Sequence, residues 1–343
     1  METIRLTTKE SDLERAGEII RAGGLVAFPT ETVYGLGANA LDAEAVASVY
    51  RAKGRPSDNP MIVHIADTAD LYALINGGIT GLSDDASKLM MKLWPGPLTL
   101  IFRKSDIVPD VTTGGLDTVA IRMPSNPTAR RLIKLTGRPV AAPSANLSGR
   151  PSPTTAGDVL EDMDGRIDAV VMGEQCDVGI ESTVVDLTGS IPYILRPGAV
   201  TKENLESILK RAVLYDSSLL DKPSVEASPD DGVADTGFRP KSPGMKYIHY
   251  SPKATVRLIE GDDNEFREKA KMLGLEARER GEKTAILDYG NDPGKAAHRL
   301  FAELRELDRQ GYDLVLIRTL DEEGFGFSVM NRMLKSAGYD VVK

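Results

Sequence analysis

"LVAFPTETVYGLGANALDAEAVASVYRAKGRPSDNPMIVHI", residues 25–65, sets the fold class. "LVAFP" is a short buried strand ended by Pro. "DAEAVASVYRAKG" opens on Asp, carries apolar residues at helical spacing and stops on Gly, which predicts a helix. "PMIVHIA" then reads as a second strand, so strand and helix alternate from the start, as in an α/β protein. Between the first strand and the helix, two Thr, a Tyr and several Gly crowd a strand-to-helix turn. Glycines let backbone approach a ligand, and a helix start offers N–H groups to an anion; the bland reading is a tight turn with Thr caps. At the helix end, Lys53 and Arg55 either complement the helix dipole or, lying before a Pro-bounded polar loop, clamp a phosphate.

Outward from this stretch the pattern holds. "SDLERAGEIIRAGG" has a Ser/Asp start and a Gly-Gly stop, predicting a helix before the first strand. "PLTLIFR", "TVAIRMP", "PVAAPSAN", "AVVM", "STVVDL" and "YILRPG" read as further strands, joined by Pro- and Gly-rich turns. Strands outnumber helices, which points to a large twisted sheet of mixed strand direction. Residues 203–212 read as the last helix of this part. Periodicity then disappears over residues 213–254, a polar linker with repeated Pro and Gly. From Thr255 to Lys343 three strand–helix pairs follow: "TVRLIE" with "NEFREKAKMLGLEARERG", "KTAILDY" with "DPGKAAHRLFAELRELDRQG", and "YDLVLIRTL" with "GFGFSVMNRMLKSAG". They imply a small parallel, Rossmann-like sheet without the Gly-x-Gly-x-x-Gly dinucleotide fingerprint. The chain thus divides into a large domain over 1–212, a linker or lid over 213–254 and a small α/β domain over 255–343.

Composition narrows the function. The 343 residues are 41% hydrophobic and 27% charged, as in a globular protein, and no apolar run suits a bilayer span. A single Cys excludes an internal disulfide, and three scattered His make a His-based metal site improbable. With no secretory leader pattern at the N-terminus, the expected location is the cytoplasm. Net charge is −9, and residues 1–210 hold 21 Lys+Arg against 27 Asp+Glu, so the large domain is no basic nucleic-acid coat. A polyanion site must then be a local cluster such as Arg51, Lys53 and Arg55.

Several further stretches carry chemistry. Arg122 lies inside an apolar strand and needs a carboxylate, from protein or ligand. His64 also sits in an apolar strand, where a satisfied core histidine is the commoner outcome. "PVAAPSANLSGRPSPTT" packs five hydroxyls and Asn146 among small residues, either a polar wall for a planar or phosphorylated ligand or an ordinary loop. Ser182, Thr183 and Arg196 stand at strand boundaries. There is no Ser-His-Asp arrangement and no Walker A motif.

Taken in order, "FPTETVYGLG", "KGRPSDNP", "WPGPLTLI", "AIRMP", "AAPSANLSG", "STVVDL" and "LRPG" resemble the YrdC-like threonylcarbamoyl-AMP synthases. "SPGMKYIHYSP" followed by a small α/β domain resembles their longer, two-domain branch. The resemblance is dense over residues 24–200 and 242–252 and weaker beyond. It implies a nucleotidyltransferase that condenses L-threonine, bicarbonate or CO2, and ATP into threonylcarbamoyl-adenylate and pyrophosphate. It implies downstream transfer proteins that carry the group to adenosine 37 of tRNA, and Mg²⁺ held through the ATP phosphates rather than by a protein metal site. Matched residue by residue, Thr32, His64, Arg122, Ala142 and Ser182 fall on L-threonine-binding positions. Arg55, Asn59, Thr118, Ser144, Ser152, Arg196 and Tyr250 fall on ATP-binding positions. Lys53, with Arg55, falls on the position that acts on the phosphates. Tyr247 and Tyr250 lie in the linker motif, which the resemblance implies folds back over the site as a lid.

Two other readings stand beside this one. An RNA-binding module without turnover would hold RNA and release no pyrophosphate; the acidic large domain argues against it. Carbamoyl transfer from carbamoyl phosphate, as in hydrogenase maturation proteins with a related domain, lacks their zinc-finger cysteines.

Overall fold

Alternation along the strands decides which side of the large sheet meets the core and which is left for the site. The computed structural model describes residues 2–220, 240–243 and 250–343. Its large sheet has eleven strands: β1 (Ile4–Leu6), β2 (Val26–Phe28), β3 (Gly35–Asn39), β4 (Ile62–His64), β5 (Leu98–Arg103), β6 (Thr118–Arg122), β7 (Val140–Ala141), β8 (Ala169–Val171), β9 (Thr183–Asp186), β10 (Tyr193–Arg196) and β11 (Leu214–Tyr215). Their spatial order is β1-β8-β2-β3-β7-β4-β6-β5-β9-β10-β11, with parallel and antiparallel pairs mixed as the excess of strands over helices implied. Because β11 joins this sheet, the large domain's ordered frame runs past residue 212.

Val63, Leu98, Leu100, Val119, Ile121 and Val185 face the main core. The intervening residues Ile62, Ile101, Ala120 and Val184 join Leu195 in a small separate cluster on the opposite face. His64, Thr99, Arg122 and Ser182 continue that second face. A β-bulge between Ile194 and Arg196 breaks the alternation in β10 and lets Arg196 follow Leu195 onto it.

Two local expectations change. "GLGAN" is a strand, β3, paired antiparallel to β2, so the Gly-rich stretch is a strand–turn–strand and not a strand-to-helix turn. Its glycines serve packing: a Cβ on Gly37 would lie 2.7 Å from the Phe28 ring and 2.9 Å from Val140. The first helix, Glu10–Arg21, begins before the Ser and Asp expected to start it; Asp12 instead accepts from Thr7 in its first turn. The helix Ala43–Lys53 forms as its sequence indicates, capped by the Asp42 side chain and ended by left-handed Gly54.

The small domain's sheet is wholly parallel. It contains β12 (Thr255–Ile259), β13 (Thr284–Leu287), β14 (Leu314–Arg318) and β15 (Val341–Val342) in the order β13-β14-β12-β15. Helices Asp263–Glu279, Pro293–Arg309 and Phe325–Ser336 link them. Among the described residues no helix is long and apolar enough to cross a membrane.

Buried polar contacts join the two sheets' domains. Arg305, fully buried, donates to the Pro151 carbonyl at 3.0 and 2.6 Å and pairs with Asp162 at 2.7 Å. Ser328 donates to the Gly198 carbonyl at 2.8 Å, and Ile180 of the large domain packs in the small domain's core. The backbones also come close at Gly179 (φ +85°), where an added Cβ would stand 2.2 Å from the Ala297 carbonyl oxygen. Gly179→Ala therefore combines a left-handed backbone penalty of roughly 1–2 kcal/mol with overpacking of about 1–3 kcal/mol. Gly290 (φ +61°) has nothing within 4 Å, so Gly290→Ala costs only the backbone penalty. Urea unfolding should show the first variant losing clearly more stability than the second; equal losses would mean the domains do not dock at Gly179.

Candidate active site

A cavity of about 320 Å³ opens over the ends of β4 and β6, between the sheet, the loop after β7 and the linker end. All the residues matched by resemblance line it except Thr118 and Tyr247. Thr118 lies on the same face of β6 as Arg122, but beyond Ala120 and outside the lining. Tyr247 lies outside the described residues, as does most of the linker motif.

Arg122 has the carboxylate its burial requires. Its Nη2 stands 2.6 Å from Glu31 Oε1, with both side chains almost fully buried. Nη1 donates to Thr32 Oγ1 at 2.8 Å and Nε to the Gly96 carbonyl at 3.2 Å. A guanidinium has five N–H donors, so a second carboxylate can still be received beside Glu31. Burial pushes the Glu31 carboxyl up, but the charge of Arg122 and its hydrogen bond outweigh this and hold it below its ordinary value. His64, across the sheet from Arg122, is buried with Nδ1 3.2 Å from the Ile62 carbonyl. Burial, and then the nearby Arg122, press its pKa down to about 3, so the imidazole is neutral at physiological pH. Ala142 gives this corner a small apolar wall.

The other side of the cavity is built by the two cationic residues and the loop after β7. Lys53 is not a free arm. It is buried, and its Nζ donates to the carbonyls of Ser144 and Asn146. Desolvation, then Arg55, lowers its pKa well below the usual lysine value. Two of three ammonium donors are thereby engaged, leaving one for a ligand oxygen. Arg55 donates through Nε and Nη2 to the carbonyl of Asn59, and through Nη2 to Pro60 at 3.0 Å. Asn59 lines the cavity, and its side-chain oxygen is buried with no hydrogen-bond partner among the described residues. Ser144 Oγ donates to Asn146 Oδ1, tying the loop to itself.

At the third wall Ser182 Oγ lies 2.8 Å from Thr99 Oγ1 and accepts from Arg196 Nη2 at 3.0 Å. Ser152 Oγ donates to Glu181, and Arg332 of the small domain donates Nε to the same carboxylate at 2.9 Å. Tyr250 lines the cavity and stacks on Phe301 of the small domain, centroids 5.1 Å apart. It therefore meets the cavity and docks the domains at once.

Glu31, Glu181 and Arg332 were not singled out in the sequence. Glu31 sits between two named Thr, and the demand of Arg122 for a carboxylate was the signal that could have found it. Arg332 shares a helix face with the apolar Val329, an equally visible sign of a buried cation awaiting a partner.

Two family models match the chain. One described as "Telomere recombination" covers residues 18–198, and one described as "Threonylcarbamoyl-AMP synthase, C-terminal domain" covers residues 200–338. The Threonylcarbamoyl-AMP synthase of Pyrococcus abyssi is 42% identical, with 99% of this chain and 98% of the relative aligned. That of Bacillus subtilis is 40% identical over 99% and 97%. The crystal structure of P. abyssi Sua5 complexed with L-threonine superposes with a TM-score of 0.90, covering 100% of this chain and 99% of that one at 42% identity.

The state of His64 is open to direct measurement. A folded pKa near 3 against an ordinary value of 6.5 means that the unfolded chain takes up a proton the folded chain refuses. His64 therefore lowers stability progressively as pH falls below about 6.5, and its penalty is absent above that pH. By NMR its ring signals should stay flat from pH 8 to 5. His64→Gln should flatten the pH dependence of unfolding over the same range. A His64 signal titrating near 6.5 would overturn the neutral assignment.

Proposed function

The chain belongs to the threonylcarbamoyl-AMP synthase family, and on that premise we propose a division of its cavity into a threonine half and a nucleotide half. The reaction joins L-threonine, bicarbonate or CO2, and ATP into threonylcarbamoyl-AMP, with release of pyrophosphate. What supports the division is that the residues matched to the two substrates line one cavity, with Arg196 bonded to Ser182 where the halves would meet. Arg122, Thr32, His64, Ala142 and Ser182 form the set at the strand ends. Arg55, Asn59, Lys53, Ser144, Ser152, Arg196 and Tyr250 form the set toward the loop and linker.

In this reading the threonine carboxylate meets Arg122 beside Glu31, as a charge-assisted contact. The threonine amine adds to CO2, and a carboxylate oxygen of the resulting carbamate attacks the α-phosphorus of ATP. The bond from that phosphorus to the bridging β-phosphate oxygen breaks, and pyrophosphate leaves with the electron pair. A carbamate is short-lived in water, so the site has to hold it in line and exclude solvent. Neutral His64 lets a polar wall stand near Arg122 without repelling it. Lys53 and Arg55 face the charge that develops on the leaving group. Mg²⁺ enters on the triphosphate as part of the substrate. Glu181 is the only carboxylate among the described lining residues, and both its oxygens are engaged. The product passes, in the cytoplasm, to proteins that transfer the threonylcarbamoyl group to adenosine 37 of tRNA. Tyr250, in the described part of the linker motif, faces the adenylate.

Pyrophosphate release should require threonine, bicarbonate and Mg²⁺ together and should proceed without RNA. Equal ATP consumption without threonine would overturn the synthase reading.

The two halves should separate by calorimetry. Lys53→Ala and Arg55→Ala should weaken a non-hydrolysable ATP analogue, and loss of Arg122 should weaken threonine. Each charge-assisted contact is worth about 1.5–3 kcal/mol, or roughly one to two decades in affinity. Since Arg122→Ala strands Glu31, the neutral pair Glu31→Gln with Arg122→Gln isolates the ligand effect. Normal threonine affinity in that pair would make Arg122 purely structural.

A further inference from the structure

Arg332 lies in the helix Phe325–Ser336 of the small domain and is fully buried. Each end of its guanidinium is committed. Nε donates to Glu181 Oε2 at 2.9 Å, Nη2 to the Pro197 carbonyl at 2.8 Å and Nη1 to Asn331 Oδ1 at 2.9 Å. The group also lies 5.5 Å from the centre of the Tyr250 ring. The carboxylate it holds lines the cavity, and the other oxygen of that carboxylate accepts the hydroxyl proton of Ser152. Ser152 has one proton to give. With that proton committed to Glu181, its oxygen can offer the cavity only lone pairs.

We propose that Arg332 is a positioning residue for the nucleotide half of the site: through Glu181 it fixes Ser152 as a hydrogen-bond acceptor for an N–H or O–H of the bound nucleotide. The small domain then contributes to the chemistry without touching substrate. This extends the synthase reading above and rests on it. A neutral, protonated Glu181 could donate to Ser152 instead, freeing the hydroxyl to turn and present its proton. Charge at Glu181 therefore decides which polarity the ligand meets. Burial alone drives the Glu181 carboxyl up; Arg332 and then Arg196 overcome it and bring the value down to about 2. The groups facing Glu181 are Arg332 and Lys335 from this helix, Arg196 from β10, Ser152 from the loop and Tyr250 from the linker end. Burial, then Arg332, presses Lys335 down to about 7, so it titrates in the working range and has to be separated from Glu181.

The test is the steady-state kinetics of pyrophosphate release by full-length protein carrying R332Q, E181Q or both, with folding checked by thermal melts. In R332Q the buried Glu181 loses its main counter-charge and keeps its proton to higher pH. The acid limb of kcat/KM for ATP should move up by at least about one pH unit, in line with the loss of a partner within hydrogen-bond reach. KM for ATP should rise about tenfold while KM for threonine stays within about twofold, as expected for one lost nucleotide contact. In the R332Q/E181Q pair, which has no carboxyl to titrate, the limb should return to the wild-type position. A limb that stays in place in R332Q overturns the proposal, as do equal rises in both KM values, which would mark Arg332 as a domain clasp only. A limb still displaced in the double variant assigns the titration to Lys335 and equally overturns it. If R332Q does not fold, the double variant, which buries no lone charge of this pair, carries the KM comparison. Wild-type release of pyrophosphate tests the synthase reading separately. Titration of a non-hydrolysable ATP analogue tests Arg332 without turnover, with affinity expected to fall about tenfold.

Discussion

A buried guanidinium is costly without a carboxylate, and among the described residues three such pairs brace this fold. Arg122 meets Glu31 beneath the cavity, Arg332 meets Glu181 in its wall, and Arg305 meets Asp162 behind the loop that roofs it. Each pair joins segments far apart in the chain. The sheet supplies the reason they are needed. One face of β4, β5, β6, β9 and β10 packs into the main core, and the other carries only a five-residue apolar cluster before it becomes polar. A sheet face left that thin in apolar residues cannot be covered by greasy contacts alone. The cover is held by charge, and the cavity is what that polar cover leaves open.

Much of this was legible locally and little of it was legible at long range. The alternation in "TVAIRMP" and "PLTLIFR" gave strands where strands stand, and the three β-α pairs after Thr255 form the parallel sheet they announce. The Asp42 cap and the Gly54 stop bound their helix as read. "GLGAN" was misread because glycine is rare in strands; its place in β3 depends on Phe28 and Val140, which local pattern cannot bring near. The β10 bulge that aims Arg196 at the cavity leaves no mark in composition. Strand order was equally hidden, since β1 and β2 flank β8, whose residues lie far along the chain. The site residues came from resemblance and one isolated physical demand. Arg122 called for a carboxylate, but nothing in spacing said that Glu31 would answer.

Lys53 has a structural employment that its place in the sequence does not announce. At a helix C-terminus its charge suits the dipole, and next to a polar loop it suits a phosphate. The structure gives it a third employment: its ammonium pins the carbonyls of Ser144 and Asn146, and so shapes the loop that walls the cavity. The helix that carries it turns its C-terminal, partially negative end toward the site. That helix's start, with its backbone amides, therefore lies away from the site. The cationic side chains at the site are instead held by backbone carbonyls, in a pocket where charge is costly.

The seam between the domains follows from the same economy of charge. Replacing a buried ion pair by apolar side chains often leaves a protein as stable or more so, so the pairs at this seam are poor candidates for simple glue. What they supply is register. An apolar seam tolerates small slides, because one methyl contact is much like the next. A forked guanidinium bound at once to a carboxylate and a backbone carbonyl tolerates very little. Arg305 binds Asp162 and the Pro151 carbonyl, and Arg332 binds Glu181 and the Pro197 carbonyl. Those two carbonyls adjoin Ser152 and Arg196, both in the cavity wall. The small domain is thus fastened next to the residues that line the cavity, and Tyr250, between Phe301 and the cavity, completes the link. A domain seated this way is part of the wall's construction, and its removal would take Arg332 from Glu181 and leave Asp162 with Arg150 alone.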